Sequence, residues 1–483
     1  MELIVPLNVQ GDRPLYEQIY QYIKDEIRKG NIRPEKQLPS SRDLAKSLKV
    51  SRSTTQLAYE QLVSEGYLEA VPRKGYFAAS LDGIFPPVAQ RAAARPDQKK
   101  ELSFGMKKEN AGEQLFSEKI EVDFSPRGID LEGFPYATWR KISRAVLKEE
   151  DRDLFLKGDP QGDLILREAI REYLHAARGV NCDASQIIIG AGNEYLLMLL
   201  SLLIGKDAVI AMEDPTYRQA YRVLSGVGHK VLPVGIDKNG FCVKELEDQT
   251  AQAAYVMPSH QFPTGIVMPV KRRQELLSWA GKMPGRYLIE DDYDSEFRFS
   301  GRPLPTLQSI DSNGRVIYMN TFSQTIAPSM RIGFLVLPPQ LLEEYRKRLD
   351  FYACPVPATE QSVLARFIAG GQYEQHLSRM RNEYRSRRLA VLEAFRKSPF
   401  SQKIALVEQA AGLHFLLQLD TQHSDQELKQ WAEQCGVRLS FLSEYARIPQ
   451  ASFAHTLVIN YAGLSPEQLP TSMELLGKVF SHL

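Results

Sequence analysis

Acidic and aromatic side chains follow two predicted strands in the second half of the chain, at the points where those strands end. RYLIEDDYDSEF places Asp291 and Tyr293 after one strand, and MEDPTY places Tyr217 after another. Ligands bind at the carboxyl ends of strands in a parallel α/β sheet, so these side chains are candidates for a binding site. The alternatives are acids that cap a strand-to-loop turn and an aromatic ring that only packs in a loop.

A third strand end offers a possible anion site. IIIGAGNEYLL reads as a strand, a turn of small residues and a helix. The backbone amides of Ala191, Gly192 and Asn193 could therefore hold a phosphate at the helix N-terminus. A plain strand-to-helix turn is the alternative.

The elements that must position these groups alternate from about residue 121 onward. Short β-branched runs such as AVIAMEDP, AAYVMPSH and VIYMNTFS are separated by helical stretches. This pattern predicts a mostly parallel sheet covered on both faces. After about residue 340, long helical stretches precede GLHFLLQL, VRLSFLS and LVINYAG, which indicate a smaller α+β lobe at the C-terminal end.

The N-terminal region begins with one amphipathic helix. We predict this helix from about Asp12, with a proline in its first turn, to Gly30. Ile19, Ile23 and Ile27 recur every four residues and should form one buried stripe.

Two short helices with a tight turn follow the first helix. Ser40 and Asp43 give the first of them a start that resembles a capping box, and Ser51 can cap the second after a three-residue break. Two short helices joined in this way form a helix-turn-helix. The core face of the second helix is predicted to carry Leu57, Ala58 and Leu62.

The second of these helices opens with groups suited to DNA. Arg52, Ser53 and Thr54 are small polar or cationic residues that fit base edges and phosphates in a major groove. The strands YLEAV and YFAA then flank PRKG, so a hairpin tipped with Arg73 and Lys74 forms a basic wing. Ordinary surface charge would explain any one of these residues. A helix, a capped helix, a turn, a second short helix and a basic wing in this order together predict a DNA-binding domain.

Composition narrows the class of protein. A hydrophobic fraction of 43% and a charged fraction of 25% are typical of a globular protein of more than one domain at 483 residues. The net charge of +1 requires any DNA contact to come from a local patch. Four scattered cysteines without a CxxC pair predict neither a zinc site nor disulfides, and fit a reducing cytoplasm.

The sequence also predicts a cytoplasmic chain without a membrane partner. MELIVPLNVQGDRP lacks the pattern of a signal peptide. The longest apolar run, residues 195–204, is far shorter than the roughly 20 residues that span a bilayer. We expect a DNA-binding domain over residues 1–78, a linker over 79–120, rich in Ala, Pro, Gly and charge, and a large domain over 121–483.

The N-terminal sequence from PLYEQIY to PRKGYF resembles the DNA-binding domain of the GntR superfamily along its full length. With the long α/β body behind it, the chain resembles the MocR (GabR-like) subfamily, whose body has the type I aminotransferase fold. The resemblance adds Arg42 and Gly75 to the DNA-binding candidates, which are Arg42, Ser51, Arg52, Ser53, Thr54, Arg73, Lys74 and Gly75.

The resemblance also implies a site for pyridoxal phosphate. This cofactor is held by a Schiff-base lysine, an acid on its pyridine nitrogen, cations and amides on its phosphate, and a stacking ring. Asp291 is implied as the partner of the nitrogen, Tyr293 as a neighbour of the phenolic oxygen, and Tyr217 as the stacking ring. NTFSQTIAPSMRIGF resembles the lysine loop, with phosphate-binding positions at Thr321, Ser323 and Arg331.

Three positions depart from the aminotransferase pattern. Gln324 stands where the family has its lysine, and an amide can neither form an imine with an aldehyde nor shuttle a proton. In PSHQFPTG, Phe262 replaces the usual asparagine, which leaves His260 or Gln261 to supply its hydrogen bond. Val458 lies near the position of the arginine that clamps the substrate carboxylate.

Arg438 and Arg447 lie near Val458 in sequence and could replace that arginine, with surface roles as the alternative. For Gln324 three explanations stand side by side. The chain is a regulator that binds the cofactor or its amino-compound adduct non-covalently, or it has lost the cofactor and kept the cavity, or it is an engineered lysine-to-glutamine form.

The sequence thus predicts a transcriptional regulator, with no catalytic residue or metal ligand assigned. Its expected partners are double-stranded operator DNA, a small-molecule effector and a second copy in a homodimer, which the resemblance implies. The effector is expected to be pyridoxal phosphate, bound non-covalently if at all, or a related adduct. The alternatives are an active aminotransferase with a DNA-binding head, and a regulator whose large domain is only a dimerisation scaffold.

Overall fold

The chain forms two compact units, residues 1–109 and 110–483, in a computed structural model. The predicted linker lies, from residue 80 to 119, outside the described residues. No described helix has the length and apolar character needed to cross a membrane. The structure describes residues 5–8, 14–64, 67–71, 74–79, 120–126, 128, 130, 132–148, 152–247, 250–299, 305–407 and 412–481.

The first unit contains the predicted helix-turn-helix and hairpin. Its elements are α1 (Leu15–Arg28), α2 (Ser41–Leu48), α3 (Arg52–Ser64), β1 (Leu68–Val71) and β2 (Gly75–Ala78). The two strands pair antiparallel, with Leu68 opposite Ala78. The sequence predicts a proline in the first turn of this helix, but Pro14 lies just before α1. The Ser40 hydroxyl accepts a hydrogen bond from the Asp43 amide, as expected of a helix cap.

The core of the first unit confirms the predicted apolar stripe of α1 and corrects one residue of α3. Ile19, Ile23 and Ile27 are buried against α3. The prediction for Leu57 was wrong, because this side chain is 52% exposed. Thr55, Ala58, Tyr59 and Leu62 form the buried face of α3 instead, at the i, i+3, i+4 and i+7 spacing of one helix face.

A mostly parallel sheet of eight strands forms the centre of the second unit, in the order β4-β11-β10-β9-β8-β5-β6-β7. Only β11 and β7 run antiparallel to their neighbours. The strands are β4 (Ile187–Gly190), β5 (Val209–Asp214), β6 (Lys230–Asp237), β7 (Gly240–Phe241), β8 (Ala253–Val256), β9 (Tyr287–Asp291), β10 (Val316–Thr321) and β11 (Gly333–Val336).

Nearly all these strands are buried along their length, as expected of a sheet covered on both faces. Helices precede the sheet, alternate with its strands and follow it. They are α4 (Tyr136–Lys148), α5 (Leu164–Arg178), α6 (Asn193–Ile204), α7 (Arg218–Gly226), α8 (Val243–Glu247), α9 (Val270–Gly281), α10 (Pro339–Arg348) and α11 (Ala358–Ala369).

A smaller α+β lobe follows, as the sequence predicted. Its main sheet has the order β12-β13-β15, and β14 pairs with β3 from the start of the unit. Its elements are β3 (Val122–Asp123), α12 (Gln372–Lys397), β12 (Ile404–Val407), β13 (His414–Leu419), α13 (Asp425–Gln434), β14 (Val437–Arg438), β15 (Thr456–Asn460) and α14 (Leu469–Phe480).

Candidate cofactor site and DNA-binding surface

Three of the predicted site segments meet at one edge of the large sheet. Gly190, at the end of β4, lies opposite Gly333 of β11, which in turn lies opposite Thr321 at the end of β10. On the other side of β10, Met319 is in register with Asp291 of β9. The register therefore brings together the turn after β4, the loop after β10 and the acidic end of β9, which are distant in sequence.

Asp291 is a buried acid with one unused oxygen. The Tyr255 hydroxyl donates to Oδ2, and the side-chain nitrogen Nδ2 of Asn193 lies 3.5 Å from the same oxygen. Oδ1 is buried and has no hydrogen-bond partner among the described residues. Burial, together with neighbouring Asp292, raises the pKa of Asp291 to about 7. Since buried polar atoms normally have partners, Oδ1 is well placed to accept a hydrogen bond from a ligand.

Arg331 lies against the turn at the start of α6. A Cβ atom added to Gly192 would be only 2.5 Å from Nη2 of Arg331, so the guanidinium lies close against this turn. Arg331 forms an ion pair with Glu194, and both side chains are roughly half exposed. A guanidinium next to the N-terminus of a helix is a cationic site that faces solvent, as an anionic ligand requires.

The hydroxyl loop after β10 is ordered by its own hydrogen bonds. Thr321 Oγ1 donates to the Ile332 carbonyl (3.1 Å) and accepts from the Ser323 amide (3.2 Å). Ser323 Oγ lies 3.0 Å from Thr321 Oγ1. Gln324 follows, half-buried, and its amide forms no hydrogen bond with another described residue. This side chain is therefore available to a ligand.

Of the three backbone amides predicted to hold a phosphate, one is already used. The Gly192 amide donates to the Gly190 carbonyl at 3.0 Å. The amides of Ala191 and Asn193 are the two that remain for an anion at the start of α6.

Three aromatic rings, those of Tyr217, Phe262 and Tyr293, meet close to the acidic end of β9. Tyr217 meets Phe262 edge-on, with ring centroids 6.0 Å apart, and Phe262 meets Tyr293 in the same way at 6.0 Å. Tyr217 and Tyr293 thus flank the ring that replaces the expected asparagine. The Phe262 side chain is apolar, so the hydrogen bond that the family's asparagine makes must come from another residue.

The structure favours His260 over Gln261 as the source of that hydrogen bond. His260 Nδ1 lies 3.2 Å from the Tyr293 hydroxyl. The Gln261 side chain instead ties its loop to the segment after β5, because Nε2 donates to the Pro215 carbonyl (2.8 Å) and Oε1 accepts from the Thr264 amide (3.1 Å).

The nearby arginines are engaged elsewhere. Arg438 forms an ion pair with Asp123 at 3.0 Å. Arg447 stacks on the Tyr221 ring, 3.8 Å from its centroid. Val458 is fully buried in β15. These contacts agree with the surface roles named as the alternative for both cations.

On the first unit, Ser51 caps the second helix of the helix-turn-helix. Its hydroxyl accepts from the Thr54 amide (3.1 Å) and lies 2.8 Å from Ser53 Oγ and 2.7 Å from Thr54 Oγ1. The cap orders the turn that presents Arg52, which is exposed. Ser51 therefore has a structural role that accounts for its position.

Exposed cations extend along α2 and the turn to α3. Arg42 and Arg52 were predicted, and the structure adds Lys46 and Lys49. None of the four forms an ion pair with a described residue. The spacing of Arg42 and Lys46, one helical turn apart, is the sequence signal that could have identified Lys46.

The wing is described only in part. Lys74 is exposed, and its carbonyl accepts a hydrogen bond from the Gln37 side chain at 2.6 Å. Gly75 has a φ of +106°, which favours glycine at this turn. Arg73 lies outside the described residues.

Sequence reasoning missed Tyr255 and Glu194. Tyr255 lies within the apolar strand AAYV, and only the pairing of β8 with β9 brings it next to Asp291. Glu194 comes directly after the turn whose backbone amides are predicted to hold a phosphate. Its position in the sequence could have identified it, because a carboxylate there must share the helix N-terminus with any bound anion.

Comparison with known proteins covers both units. Two protein-family models match: bacterial regulatory proteins of the gntR family over residues 15–77, and aminotransferases of class I and II over residues 132–476. The chain is 37% identical to the uncharacterised HTH-type transcriptional regulator YhdI of Bacillus subtilis, with 100% of this chain and 99% of that protein covered. It is 32% identical to the probable rhizopine catabolism regulatory protein MocR of Rhizobium meliloti, with 99% of this chain and 96% of that protein covered.

Among solved structures, the kynurenine aminotransferase of Pyrococcus horikoshii is similar to the second unit. The two superimpose with a TM-score of 0.65 at 23% identity, over 75% of this chain and 91% of the aminotransferase. This likeness identifies the fold of the second unit.

Proposed function

Because this chain belongs to the GntR family of transcriptional regulators, in the MocR (GabR-like) subfamily with an aminotransferase-like domain, we propose that the second domain is a sensor. The sensed molecule is pyridoxal phosphate, held without a covalent bond, or an adduct of it with an amino compound. As a DNA-binding regulator of transcription, the protein acts in the cytoplasm.

The unpartnered Oδ1 atom of Asp291 is the observation that carries this proposal. A buried carboxylate oxygen without a partner is costly unless a ligand completes its hydrogen bonding. The protonated pyridine nitrogen is such a ligand, and Tyr293 with His260 would hold the phenolic oxygen. Arg331 and Ser323, with the Ala191 amide, would hold the phosphate.

The bound cofactor would supply an aldehyde that reacts reversibly with amines. The chain itself supplies orientation, a buried acid and a cationic anchor, and Gln324 supplies no basic nitrogen. Occupancy of the site therefore follows the concentration of the free ligand, as a sensor requires. The rival function, an active aminotransferase, predicts conversion of an amino donor, which we expect to be undetectable.

The DNA-binding part of the proposal assigns base or phosphate contacts to Arg52 at the start of α3. The Arg52→Ala variant should bind the upstream region of its own gene more weakly by about 1–3 kcal/mol if the guanidinium contacts a base. Arg33→Ala, an exposed arginine before α2, is the matched control and should change the affinity little. Unchanged DNA affinity of Arg52→Ala would contradict the assignment.

The proposed homodimer is supported by apolar side chains exposed on the second unit. They lie on α4, on or directly after the turn Arg152–Phe155, and on α5, and these three elements all pack on α11. A monomer rarely exposes so many large apolar groups in one region. The side chains are Tyr136, Leu147, Phe155, Leu156, Leu164 and Ile165.

Fluorescence anisotropy of labelled upstream DNA, with and without pyridoxal phosphate, tests whether the two domains are coupled. Allosteric coupling of 1–3 kcal/mol is usual, so we expect roughly a 5- to 150-fold change in DNA affinity. If pyridoxal phosphate binds and the DNA affinity stays the same, the cofactor is not the sensed molecule. If a preformed adduct with an amino compound then changes the affinity, the adduct is.

A further inference from the structure

Two histidines and an aspartate, far apart in sequence, meet in the interior of the second unit. His260 follows β8, Asp294 follows β9, and His414 begins β13 of the small lobe. Each is at least nine-tenths buried and offers one ligand atom, and these atoms lie within 4.8 Å of one another. We propose that the three side chains bind a divalent transition-metal ion, with Zn²⁺ the best fit, and so join the large sheet to the small lobe.

Existing hydrogen bonds leave one nitrogen of each imidazole for the metal. His414 Nε2 lies 2.9 Å from the Pro263 carbonyl, and because a carbonyl only accepts, Nε2 carries the proton and Nδ1 keeps its lone pair. His260 Nδ1 is in contact with Tyr293, whereas His260 Nε2 is buried without a partner among the described residues. Metal-binding histidines are ordinarily oriented by such a contact at their other nitrogen.

Asp294 is held in place in the same way. The Leu413 backbone amide donates to its carboxylate, and Oδ1 is buried without a partner in the described part of the chain. Its φ of +59° lies in the left-handed region, which non-glycine residues seldom adopt. Backbone strain of this kind concentrates at functional sites, where the surroundings impose it.

The chemistry of the three ligands selects the class of ion. Two imidazoles and a carboxylate suit Zn²⁺, Co²⁺ or Fe²⁺, and three protein ligands leave one coordination position open. Ligand atoms about 2.0–2.2 Å from Zn²⁺ are about 3.5 Å apart, so binding would draw the three side chains together from separations of up to 4.8 Å. The positive ion would also offset the buried carboxylate.

Close packing keeps His260 at this position. A Cβ atom added to Gly412, whose φ is +79°, would lie 1.7 Å from Cε1 of His260. The imidazole is therefore pressed against the backbone of the small lobe, directly before His414. Since His260 and Asp294 come from loops of the large sheet, a bound ion would connect the two lobes of the second unit.

Titration of the full-length protein with Co²⁺ tests the site directly. The protein is purified without a histidine tag, treated with a chelator and dialysed, and the visible d–d absorbance of Co²⁺ is followed. We expect one Co²⁺ per chain, displacement by Zn²⁺ and no thiolate charge-transfer band. We also expect the melting temperature to rise with metal concentration, because an ion that binds the folded state stabilises it.

Variants separate this site from surface binding. His414→Gln and the isosteric Asp294→Asn should each weaken Co²⁺ binding at least about tenfold. His229→Gln changes another buried histidine, which lies outside the cluster and contacts the Ala208 carbonyl, and should bind Co²⁺ as the unaltered protein does. Circular dichroism confirms that each variant is folded, and if His414→Gln is not, Asp294→Asn decides.

The proposal is overturned if the folded, unaltered protein binds neither Co²⁺ nor Zn²⁺. It is also overturned if a folded His414→Gln or Asp294→Asn variant keeps the same stoichiometry and spectrum. Neither result depends on pyridoxal phosphate, which is left out of the titration.

Discussion

Glu194 should act as an internal competitor of the bound phosphate. Its carboxylate pairs with Arg331 at the start of α6, where the phosphate of the cofactor is proposed to bind. A phosphate that approaches Arg331 must therefore displace this carboxylate or share the guanidinium with it. The Glu194→Gln substitution removes the negative charge and keeps the size of the side chain, so it should tighten the binding of pyridoxal phosphate.

The geometry gives the magnitude of the effect. A carboxylate and a phosphate that share one guanidinium are about 5 Å apart, and an effective dielectric constant of about 40 to 80 gives a repulsion of about 1–2 kcal/mol for each pair of charges. The side chains of Arg331 and Glu194 are 48% and 41% exposed, so solvent screens the repulsion and Glu194 can move away. We expect a net gain of about 1 kcal/mol, or about fivefold in affinity.

The assay is a titration of the protein with pyridoxal phosphate, followed by quenching of the intrinsic fluorescence. Glu247→Gln is the matched control, because Glu247 forms an exposed ion pair with Lys282 away from the site. Its affinity should equal that of the unaltered protein. If Glu194→Gln binds pyridoxal phosphate no more tightly than the control, the phosphate does not bind at Arg331 and Glu194 is not its competitor.

Two further predictions concern stability. Burial raises the pKa of Glu213 to about 8, so the stability that its protonated form provides is complete below about pH 4.5 and is lost as the pH rises through 8. The Glu213→Gln variant has no carboxyl group at this position and should not lose this stability. As the pH rises from 4.5 to 8, urea unfolding should show its free energy of unfolding gaining a few kcal/mol over that of the unaltered protein, at about 1.4 kcal/mol per pKa unit. A difference between the two proteins that does not change with pH would contradict this. Gly412→Ala should destabilise by at least about 2 kcal/mol, because its methyl group collides with His260. In thermal unfolding Gly371→Ala, with a similar φ and open space, should cost only about 1 kcal/mol, and equal losses would exclude the collision as the cause.

Local patterns were enough to predict the elements that position both sites. The capped helices of the first unit follow from Ser40 and Ser51, whose hydroxyls can satisfy free amides of the first turn. The strand ends that carry Asp291 and Thr321 follow from short apolar runs that are bounded by polar residues. Leu57 is apolar but lies off the helix face that Thr55, Ala58, Tyr59 and Leu62 bury, so residue type alone predicted its burial wrongly.

Contacts between distant segments could not be predicted, because they depend on strand order and on the packing of one lobe against another. The sequence does not show that Tyr255 donates to Asp291, since this contact requires β8 to lie beside β9. It likewise places His414 more than a hundred residues from His260 and Asp294, so the spacing of the cysteines, on which the prediction of no zinc site rests, could not reveal this cluster. Only the fold brings the three together.

A titration of the full-length protein with pyridoxal phosphate, beside the Gln324→Lys variant, tests the proposed sensor function most directly. Absorbance reports binding, and mass spectrometry after borohydride reduction reports a covalent bond. We expect both proteins to bind pyridoxal phosphate saturably and only Gln324→Lys to gain the mass of a pyridoxyl group. If neither protein binds pyridoxal phosphate, the second domain is not a site for this cofactor, and the proposed sensor function is wrong.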